Sequence, residues 1–270
     1  EINYIKMKTV LVVGSSTGIG EATVKLLSQK GHKVLATTRD PTKAESIGGL
    51  KNVTLVKLDI LNYDEVKKTC EKLIEDNEID VVLCNAGIGM CAPVEKETME
   101  QIKQVFDLNF FGNVNLLKQF IPYFKAKKSG LFMVTSSVAS ISALMLQSTY
   151  GSAKRALNSF CESLYYEMKP YNVGVKILLP AYTITPFKTI CNEIGEYKDY
   201  FTEQSKYLTD NFKYAAKPEE TAEFALLAIT DGKDQIHYPA DKQAQKLIDE
   251  YNSMGLEKFK TFFWNKIDKK

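Results

Sequence analysis

Histidine is scarce in this sequence, and its cysteines show none of the spacings that bind metal. The two histidines, at positions 32 and 237, stand far apart, so we expect neither a histidine-based metal site nor a Ser-His-Asp hydrolase. The five cysteines, at positions 70, 84, 91, 161 and 191, form no CxxC pair and fall in apolar segments. An odd number of scattered cysteines is typical of reduced thiols. We therefore expect a cytoplasmic protein that holds no metal.

A long apolar run and an excess of charge of either sign are also missing. No stretch of 18 consecutive apolar residues occurs, which predicts that nothing spans a membrane. The 35 Lys and Arg residues are balanced by 33 Asp and Glu residues, for a net charge of +2. This balance argues against nucleic acid or an anionic membrane as the main partner. We therefore expect neither nucleic acid nor a membrane as a partner.

The sequence does contain a regular alternation of apolar, β-branched runs with amphipathic stretches. The strand candidates are apolar on both faces, as expected of a parallel sheet covered by helices on both sides. They span residues 8–13, 33–37, 53–58, 80–84, 131–135 and 175–179, with a weaker one at 235–238. The repeated strand–helix–strand order implies right-handed crossovers. We predict one α/β domain over residues 1–270, a doubly wound (Rossmann) parallel sheet of about seven strands with helices on both faces.

Two helix starts are marked by capping residues. Asn62 has Glu65 three positions on, and Thr98 stands in the same relation to Gln101, so each pair predicts a capping box. The helix after Thr98 is predicted to run unbroken to about residue 120.

A glycine-rich loop, residues 13–20, joins the first strand to the first helix. Gly14, Gly18 and Gly20 have the spacing GxxxGxG. Glycine permits the tight turn and lets backbone N–H groups approach a pyrophosphate, and the helix N-terminus adds partial positive charge. The loop therefore predicts a dinucleotide site.

This glycine spacing resembles that of the short-chain dehydrogenase/reductase family, and so do motifs farther along the chain. The sequence CNAG at 84–87 stands where the family usually has NNAG, and Asn109 lies within DLNFFG. Ser137 stands thirteen residues before Tyr150, and YGSAK supplies the family's YxxxK with Lys154. The matches run in the family's order from about residue 8 to residue 186. Three positions depart from the pattern: Val13 in place of threonine, Cys84 in place of the first asparagine, and Ala181 in place of a glycine after Pro180.

The resemblance implies a nicotinamide cofactor and assigns roles to individual residues. It implies that Asn109, Ser137, Tyr150 and Lys154 are catalytic, with Lys154 also binding the nicotinamide ribose and Asn109 holding a water that links Lys154 to solvent. The cofactor-binding residues it implies, besides Tyr150 and Lys154, are Gly14, Ser16, Thr17, Gly18, Ile19, Gly20, Thr38, Arg39, Asp59, Ile60, Asn85, Ala86, Gly87, Pro180, Thr183 and Thr185. Asp59 and Ile60 would flank the adenine.

The chemistry of carbonyl reduction explains why tyrosine and lysine recur four positions apart. A ketone needs a hydride on carbon and a proton on oxygen, and a phenol supplies a proton. A free phenol has a pKa of about 10, which a nearby ammonium and the positive charge of oxidised nicotinamide are expected to lower. Positions i and i+4 share one helix face, so Tyr150 and Lys154 should enter one cleft, with small residues at 151–153 leaving room for a cofactor. Ser137, or its neighbour Ser136, would hydrogen-bond the substrate oxygen.

The end of the second strand predicts a preference for NADP(H). Thr38 stands where NAD-preferring members of the family carry an acid, and Arg39 follows it. An acid would repel a 2′-phosphate, whereas an arginine attracts one. Asp40 is one position too late, and we interpret it as a helix N-terminal residue.

The function that we expect is NADPH-dependent, reversible reduction of a hydrophobic ketone or aldehyde. Three alternatives are an acyl-carrier-protein ketoreductase, a hydroxysteroid dehydrogenase and a sugar-nucleotide epimerase or dehydratase. A fourth, from a different class, is a catalytically silent NADP-binding sensor or scaffold. The chain continues for some thirty residues after the seventh strand, as in the 17β-hydroxysteroid-dehydrogenase-like group.

Residues 187–214 are predicted to form a lid beside the active-site segment 131–169. Tyr197, Tyr200 and Phe201 have helical spacing and would line one face over the substrate. Residues 142–147 would form a second apolar wall. Further aromatic residues of the segment include Phe187, Tyr207, Phe212 and Tyr214. The family resemblance also implies a homodimer or homotetramer, built from the helices that begin near Thr98 and Ser148.

Overall fold

The computed structural model describes residues 7–211 and 215–268. Seven strands form one parallel sheet in the order β3-β2-β1-β4-β6-β7-β9. This sheet confirms the predicted doubly wound architecture, including the weak last strand. Its strands are β1 (Thr9–Val13), β2 (Lys33–Thr38), β3 (Val53–Lys57), β4 (Val81–Cys84), β6 (Gly130–Thr135), β7 (Val173–Leu179) and β9 (His237–Pro239).

Two short strands that the sequence analysis did not predict form a separate parallel sheet. They are β5 (Gly89–Cys91) and β8 (Thr189–Cys191). Each has three residues, too few for a periodic pattern to be recognised in the sequence. They lie beyond the carboxyl ends of β4 and β7, where a doubly wound sheet places its ligands.

Helices cover both faces of the main sheet. They are α1 (Gly18–Gln29), α2 (Glu45–Gly48), α3 (Tyr63–Asp76), α4 (Met99–Phe106), α5 (Asn113–Lys127), α6 (Ser148–Met168), α7 (Lys198–Asn211), α8 (Pro218–Thr230) and α9 (Lys242–Ile267). Alternate residues of β1 enter opposite cores: Leu11 and Val13 pack with α3, α5 and α6, whereas Val10 and Val12 pack with α1 and α8. This two-sided burial is why the strands are apolar throughout. Among the described residues, no helix has the length and apolarity needed to cross a membrane.

The predicted capping residues begin their helices, with one difference. Thr98 and Gln101 form a complete capping box at α4. Asn62 caps α3 by accepting from the Glu65 N–H at 3.2 Å, but the Glu65 carboxylate accepts from the N–H of Asp59 instead of Asn62. The reciprocal half of the second predicted box is therefore missing.

The helix predicted to run unbroken from Thr98 is interrupted by a π-helical turn. α4 ends at Phe106, residues 107–112 form the turn, and α5 begins at Asn113. The wider turn leaves carbonyl groups for other donors, and the Asn113 side-chain N–H₂ donates to Leu108 O at 2.9 Å and to Asn109 O at 3.1 Å. π-turns of this kind occur frequently at functional sites, and this one contains Asn109.

Candidate active site and cofactor cleft

A cleft of about 830 Å³ runs along the carboxyl ends of the central strands. Most of the residues predicted to bind cofactor or substrate line it, although they come from segments spread over the chain. They are Gly14, Ser16, Thr17, Gly18, Ile19, Thr38, Arg39, Asp59, Ile60, Asn85, Ala86, Gly87, Ser137, Tyr150, Lys154, Pro180, Thr183 and Thr185. Two predicted residues, Gly20 and Asn109, do not line the cleft.

The glycine loop has the close contacts that its sequence predicts. Gly14 and Gly18 have φ of +82° and +60°, in the region that favours glycine. A Cβ on Gly14 would lie 2.8 Å from the backbone of Ala86, and a Cβ on Gly20 would lie 2.1 Å from Gly14 O. Gly20 therefore permits packing within the loop, which explains why it does not face the cleft.

The first turn of α1 keeps backbone N–H groups available for a ligand. α1 begins at Gly18, and Thr17 at its N-cap makes no side-chain capping hydrogen bond. The first N–H groups of a helix have no intrahelical partner. Together with the positive end of the helix dipole, they form a site suited to an anion.

The end of β2 presents an arginine rather than an acid to the cleft. Thr38 is buried, and its hydroxyl lies 3.3 Å from both the N–H and the carbonyl oxygen of Asp40. The Asp40 carboxylate is occupied by the backbone N–H of Thr42 at 3.2 Å and by its hydroxyl at 2.6 Å. Asp40 thus caps the short helical turn 41–43, as the sequence predicted. Arg39 is exposed and has no ion-pair partner within the described part of the chain.

Tyr150, Ser137 and Lys154 meet on one wall of the cleft. The Tyr150 phenol lies near the Ser137 side chain, whose Oγ accepts from the N–H of Ala139 at 3.2 Å. Lys154, only 3% exposed, donates from Nζ to Thr135 O at 2.8 Å. Its Nζ lies 6.0 Å from the centre of the Tyr150 ring. Ser136 instead points its hydroxyl toward Lys154 O at 3.5 Å, so Ser137 is the serine that contacts the tyrosine.

Burial controls the titration of both groups. The pKa of Tyr150 is raised, because burial removes hydration from the phenolate, and the hydrogen bond with Ser137 offsets only part of this effect. Burial lowers the pKa of Lys154 to about 8. Burial is the largest influence on the pKa of the Tyr150 phenol; the expected lowering, which also needs the positive charge of oxidised nicotinamide, stays a prediction. A tyrosine with a raised pKa stays protonated near neutrality and is suited to donate a proton.

Asn109 lies behind the cleft wall, fully buried. Its side chain accepts from the N–H of Ile88 and donates to the Ile88 carbonyl, both at 2.8 Å. A Cβ on Gly87 would lie 3.0 Å from Asn109 Oδ1 and 3.3 Å from Lys154 Nζ. The absence of a side chain at Gly87 thus allows the asparagine and the lysine to approach the same point.

The small residues between Tyr150 and Lys154 serve packing rather than cofactor space. A Cβ on Gly151 would lie 3.0 Å from Ala139 O, so glycine lets α6 approach the turn that follows Ser137. Ala153 is buried in the main core, and Ser152 is exposed. The prediction that residues 151–153 are small to leave room for a cofactor is therefore corrected: their small size serves the packing of α6.

The far end of the cleft is apolar. Its lining includes Met90, Leu144, Phe187, Phe201 and Leu247. The Phe187 ring lies 6.2 Å, centre to centre, from the ring of Tyr150, at a steep angle. Met90 belongs to β5 and Leu247 to α9, and neither was predicted, because no local motif connects these segments to the cleft. Leu144 and Gln147 confirm that segment 142–147 forms a wall.

The segment predicted as an aromatic lid is only partly directed at the cleft. Phe201 lines the cleft, but Tyr200 stacks on Trp264 of α9 with ring centres 5.4 Å apart. Tyr197 lies before α7, in a short helical turn, and interacts with Glu95. The prediction that Tyr197, Tyr200 and Phe201 share one face over the substrate is therefore wrong, because α9 covers the side of α7 that carries Tyr200. Phe212 and Tyr214 lie outside the described residues.

The lid segment is joined to the cleft wall by one buried amide. Gln204 of α7, 1% exposed, accepts from the N–H of Met145 at 2.8 Å and donates to its carbonyl at 3.3 Å. This pair of bonds holds α7 against segment 142–147.

Comparison with known protein families identifies this arrangement. A family model for short chain dehydrogenases matches residues 8–193. The chain belongs to the short-chain dehydrogenase family. It is accordingly an oxidoreductase of CH–OH and C=O groups that uses a nicotinamide dinucleotide, NAD(H) or NADP(H). The match includes the glycine loop, Asn109, Ser137, Tyr150 and Lys154.

Three similar short-chain dehydrogenases illustrate the range of relatives. An uncharacterised oxidoreductase of Schizosaccharomyces pombe is 34% identical over 205 residues, which cover 74% of this chain and 87% of that protein. Human retinol dehydrogenase 8 is 34% identical over 67% of this chain and 60% of its own length. Human 17-beta-hydroxysteroid dehydrogenase type 1 is 32% identical over 85% of this chain and 76% of its own length.

Solved structures with similar folds contain either form of the cofactor. A short-chain dehydrogenase from Streptomyces avermitilis has a TM-score of 0.85 at 20% identity, with 97% of each chain covered. One from Burkholderia cenocepacia, in complex with NADP, has a TM-score of 0.77 at 20% identity and covers 98% of this chain and 99% of its own. A 3-ketoacyl-(acyl-carrier-protein) reductase from Brucella melitensis, complexed with NADH, has a TM-score of 0.75 at 22% identity. The match covers 88% of this chain and 98% of that reductase. At these identities, the likeness establishes the fold.

The residues of this short-chain dehydrogenase fit a nicotinamide dinucleotide. The uncapped start of α1 suits the pyrophosphate, and the cleft extends from Arg39 past Gly87 to Tyr150. In the described part of the chain, no cluster of three or more His, Cys, Asp or Glu residues could hold a metal.

Proposed function

We propose that the protein reduces a hydrophobic ketone or aldehyde to the alcohol, reversibly, with NADPH as the reductant. The observation that carries the proposal is that Ser137, Tyr150 and Lys154 line one cleft, with the buried Lys154 ammonium held by Thr135 O at 2.8 Å. When bound, the nicotinamide supplies the hydride. The chain's own residues supply the proton, orient the carbonyl and exclude water.

Tyr150 is the proposed proton donor. Its raised pKa keeps the phenol protonated at neutral pH, which is the form that a developing alkoxide needs. The Ser137 hydroxyl hydrogen-bonds the substrate oxygen and stabilises the charge that forms on it. Both groups therefore act on the same oxygen atom.

Lys154 and Asn109 are proposed to return a proton to Tyr150. A lysine with a pKa of about 8 exchanges protons readily near neutrality. Asn109 Oδ1 and Lys154 Nζ approach the same point beside Gly87, and a water held there would connect the lysine to solvent. In this role Lys154 also contacts the nicotinamide ribose.

We propose NADP(H) as the preferred cofactor because of Arg39. Its side chain lines the cleft and has no ion-pair partner among the residues that the structure describes. The neighbouring carboxylate of Asp40 is occupied by Thr42. The cation is therefore available for a 2′-phosphate, and Thr38 places no negative charge there. Asp59 and Ile60 would flank the adenine.

Arg39→Ala should raise KM for NADPH about 10-fold or more, the scale of a lost charge-assisted hydrogen bond. KM for NADH should change little, because NADH has no 2′-phosphate. Thr38→Asp should shift preference further toward NADH by repulsion. Steady-state kinetics with both cofactors measures this, with Lys43→Ala as a control for an exposed cation nearby. An equal loss with both cofactors in Arg39→Ala would show that the residue is structural.

The apolar lining of the cleft supports a hydrophobic substrate. Met90, Leu144, Phe187, Phe201 and Leu247 surround the space beyond Tyr150. Two relatives are a retinol dehydrogenase and a hydroxysteroid dehydrogenase, and both of these substrate classes are hydrophobic. Among the described residues that line the cleft, the cations besides Lys154 are Arg39 and Lys188, and we propose neither a sugar phosphate nor a short keto acid as the substrate.

A panel of ketones and aldehydes, assayed by NADPH consumption, tests this function. We expect kcat/KM to rise with apolar size, by about 3- to 4-fold for each methylene that becomes buried. Short charged keto acids should be poor substrates. A preference for small charged substrates would contradict the proposed substrate class.

The same panel separates the alternatives. An acyl-carrier-protein ketoreductase would require the carrier-bound substrate, and a hydroxysteroid dehydrogenase would prefer the steroid ketone over flexible chains of equal size. A sensor or scaffold would bind NADPH and reduce nothing. The presence of Ser137, Tyr150 and Lys154 together on the cleft favours an enzyme over the sensor.

We also propose that the protein is a homodimer or homotetramer formed through α4 and α6. Met99 of α4, Phe111 of the π-helical turn that follows α4, and Tyr166 of α6 are 71%, 47% and 73% exposed, so their apolar surface is available for contact with a second chain. Light scattering at micromolar concentration should give a multiple of the 30.4 kDa chain mass. A single chain mass would refute this assembly.

A further inference from the structure

Two cysteines a hundred positions apart face each other in the small sheet above the cleft. The register of β5 and β8 pairs Cys91 with Cys191, and Gly89 with Thr189. Both thiols are free. Cys91 is half-buried and lines the cleft, whereas Cys191 is exposed. One thiol is thus open to solvent and the other lies against the substrate space.

The spacing of the two strands suits a disulfide. Neighbouring strands lie about 4.8 Å apart, within the Cα separation of about 4.4–6.8 Å that a disulfide spans. Residues 89 and 91 share one face of β5, as do 189 and 191 of β8. On that face, a Cβ on Gly89 would lie 2.6 Å from Thr189 Oγ1. A disulfide places each Cβ roughly 3 Å from the far sulfur, so this face has the close approach that the bond needs.

The other three cysteines are in a different environment. Cys70, Cys84 and Cys161 are buried in the main core, and burial raises the pKa of each thiol. The pKa of Cys91 is raised by its partial burial and by the proximity of Cys191. Buried thiols of raised pKa react slowly, so the exposed Cys191 is the thiol that we expect to react first with an oxidant.

We propose that Cys91 and Cys191 are a redox modification site, which a disulfide oxidant such as oxidised glutathione converts to a reversible intrachain disulfide. The Cys191 thiolate attacks one sulfur of the oxidant and releases one glutathione thiolate. The Cys91 thiolate then attacks Cys191 Sγ in the mixed disulfide and releases the second. The two protein thiols lose two electrons and two protons, and the oxidant becomes two molecules of reduced glutathione.

The disulfide would link the segment that contains β8, which covers the cleft, covalently to β5. β8 begins two residues after Phe187, whose ring contacts Tyr150, and the N–H of Gly89 donates to Lys188 O at 2.8 Å. Beyond β8, the Asn192 side chain donates to Lys96 O at 2.7 Å. These are hydrogen bonds that open and close, whereas a covalent bond between the strands would prevent the segment from moving away for substrate entry or product release. This consequence rests on the proposed function; formation of the disulfide does not.

The test uses the folded full chain, equilibrated with oxidised and reduced glutathione at several ratios. Free thiols are alkylated after unfolding, and protease digestion with mass spectrometry locates any linked peptide. We expect wild-type protein to lose two titratable thiols and to yield a peptide linking Cys91 to Cys191. Cys70, Cys84 and Cys161 should stay reduced and serve as internal controls. Cys191→Ser should yield no linked peptide.

Recovery of Cys191 only as a glutathione adduct, with Cys91 free, would overturn the disulfide, and so would no loss of thiols at any ratio. In a second measurement, turnover of a hydrophobic ketone should fall on oxidation and recover with dithiothreitol, while Cys191→Ser should keep its rate throughout. Equal turnover of linked and unlinked protein would contradict the claim that the disulfide prevents the segment around β8 from moving. Absence of turnover in the reduced protein would count against the proposed function, and the linked peptide would still decide the disulfide.

Discussion

Tyr150→Phe should lower kcat for ketone reduction about 10²-fold or more, while the Kd for NADPH stays close to that of the wild type. The substitution removes the only group that we assign as proton donor, and a general acid contributes about 10²- to 10⁴-fold. The phenyl ring preserves the contact with Phe187, so the cleft should keep its shape. Stopped-flow or steady-state assays give kcat, and quenching of protein fluorescence gives the Kd.

Tyr166→Phe is the matched control for this substitution. Tyr166 lies on the same helix, α6, but its ring is 73% exposed and it does not line the cleft. Its loss of a hydroxyl should leave kcat unchanged. A Tyr150→Phe protein that retained near-wild-type kcat would exclude the tyrosine as the proton donor.

Asp231→Ala should lower the free energy of unfolding by about 3–5 kcal/mol, the cost of leaving one partner of a buried ion pair alone. Lys176 is 5% exposed and donates from Nζ to Asp231 Oδ1 at 2.6 Å and to Ala228 O at 2.7 Å. Tyr238 donates to the other carboxylate oxygen at 2.8 Å. The pair joins β7, α8 and β9 at the last strand of the sheet, and denaturant unfolding measures its loss.

The neighbouring ion pair of Lys169 and Asp234 supplies the control. Both side chains are more than half exposed, so Asp234→Ala should leave the unfolding midpoint almost unchanged. The double variant Lys176→Met/Asp231→Leu should recover much of the stability, because it leaves no unpaired buried charge. Equal effects of Asp231→Ala and Asp234→Ala would contradict the assigned importance of burial.

The buried pair also predicts how stability depends on pH. Burial opposes the charged carboxylate of Asp231, but hydrogen bonds from Lys176, Lys233 N–H and Tyr238 outweigh it and hold its pKa below the ordinary value. The unfolded state then binds the proton more readily, so this contribution is complete above about pH 4 and is lost as the pH falls through the lowered pKa. Asp231→Ala should lack this part of the acid dependence.

Much of the fold could be predicted from the sequence, because its signals are local. Apolar runs of strand length alternate with amphipathic stretches, and this alternation alone indicates a doubly wound sheet. Glycines at 14, 18 and 20 stand where the backbone of the loop has no room for side chains. The four-residue spacing of Tyr150 and Lys154 places both on one face of a helix whatever that helix packs against.

Packing between distant segments decided the rest. The raised pKa of Tyr150 depends on the burial that the finished cleft provides. Tyr200 of α7 faces α9 because it stacks on Trp264, a residue far away in the sequence. The helix after Thr98 contains a π-helical turn, where the Asn113 side chain bonds the carbonyls of Leu108 and Asn109 and the Asn109 side chain bonds the backbone of Ile88. Cys91 and Cys191 are isolated in the sequence and become paired only when β5 meets β8. Helical and strand periodicity report on neighbours a few residues away, whereas burial, titration and cross-strand pairing are set by which surfaces the folded chain brings together.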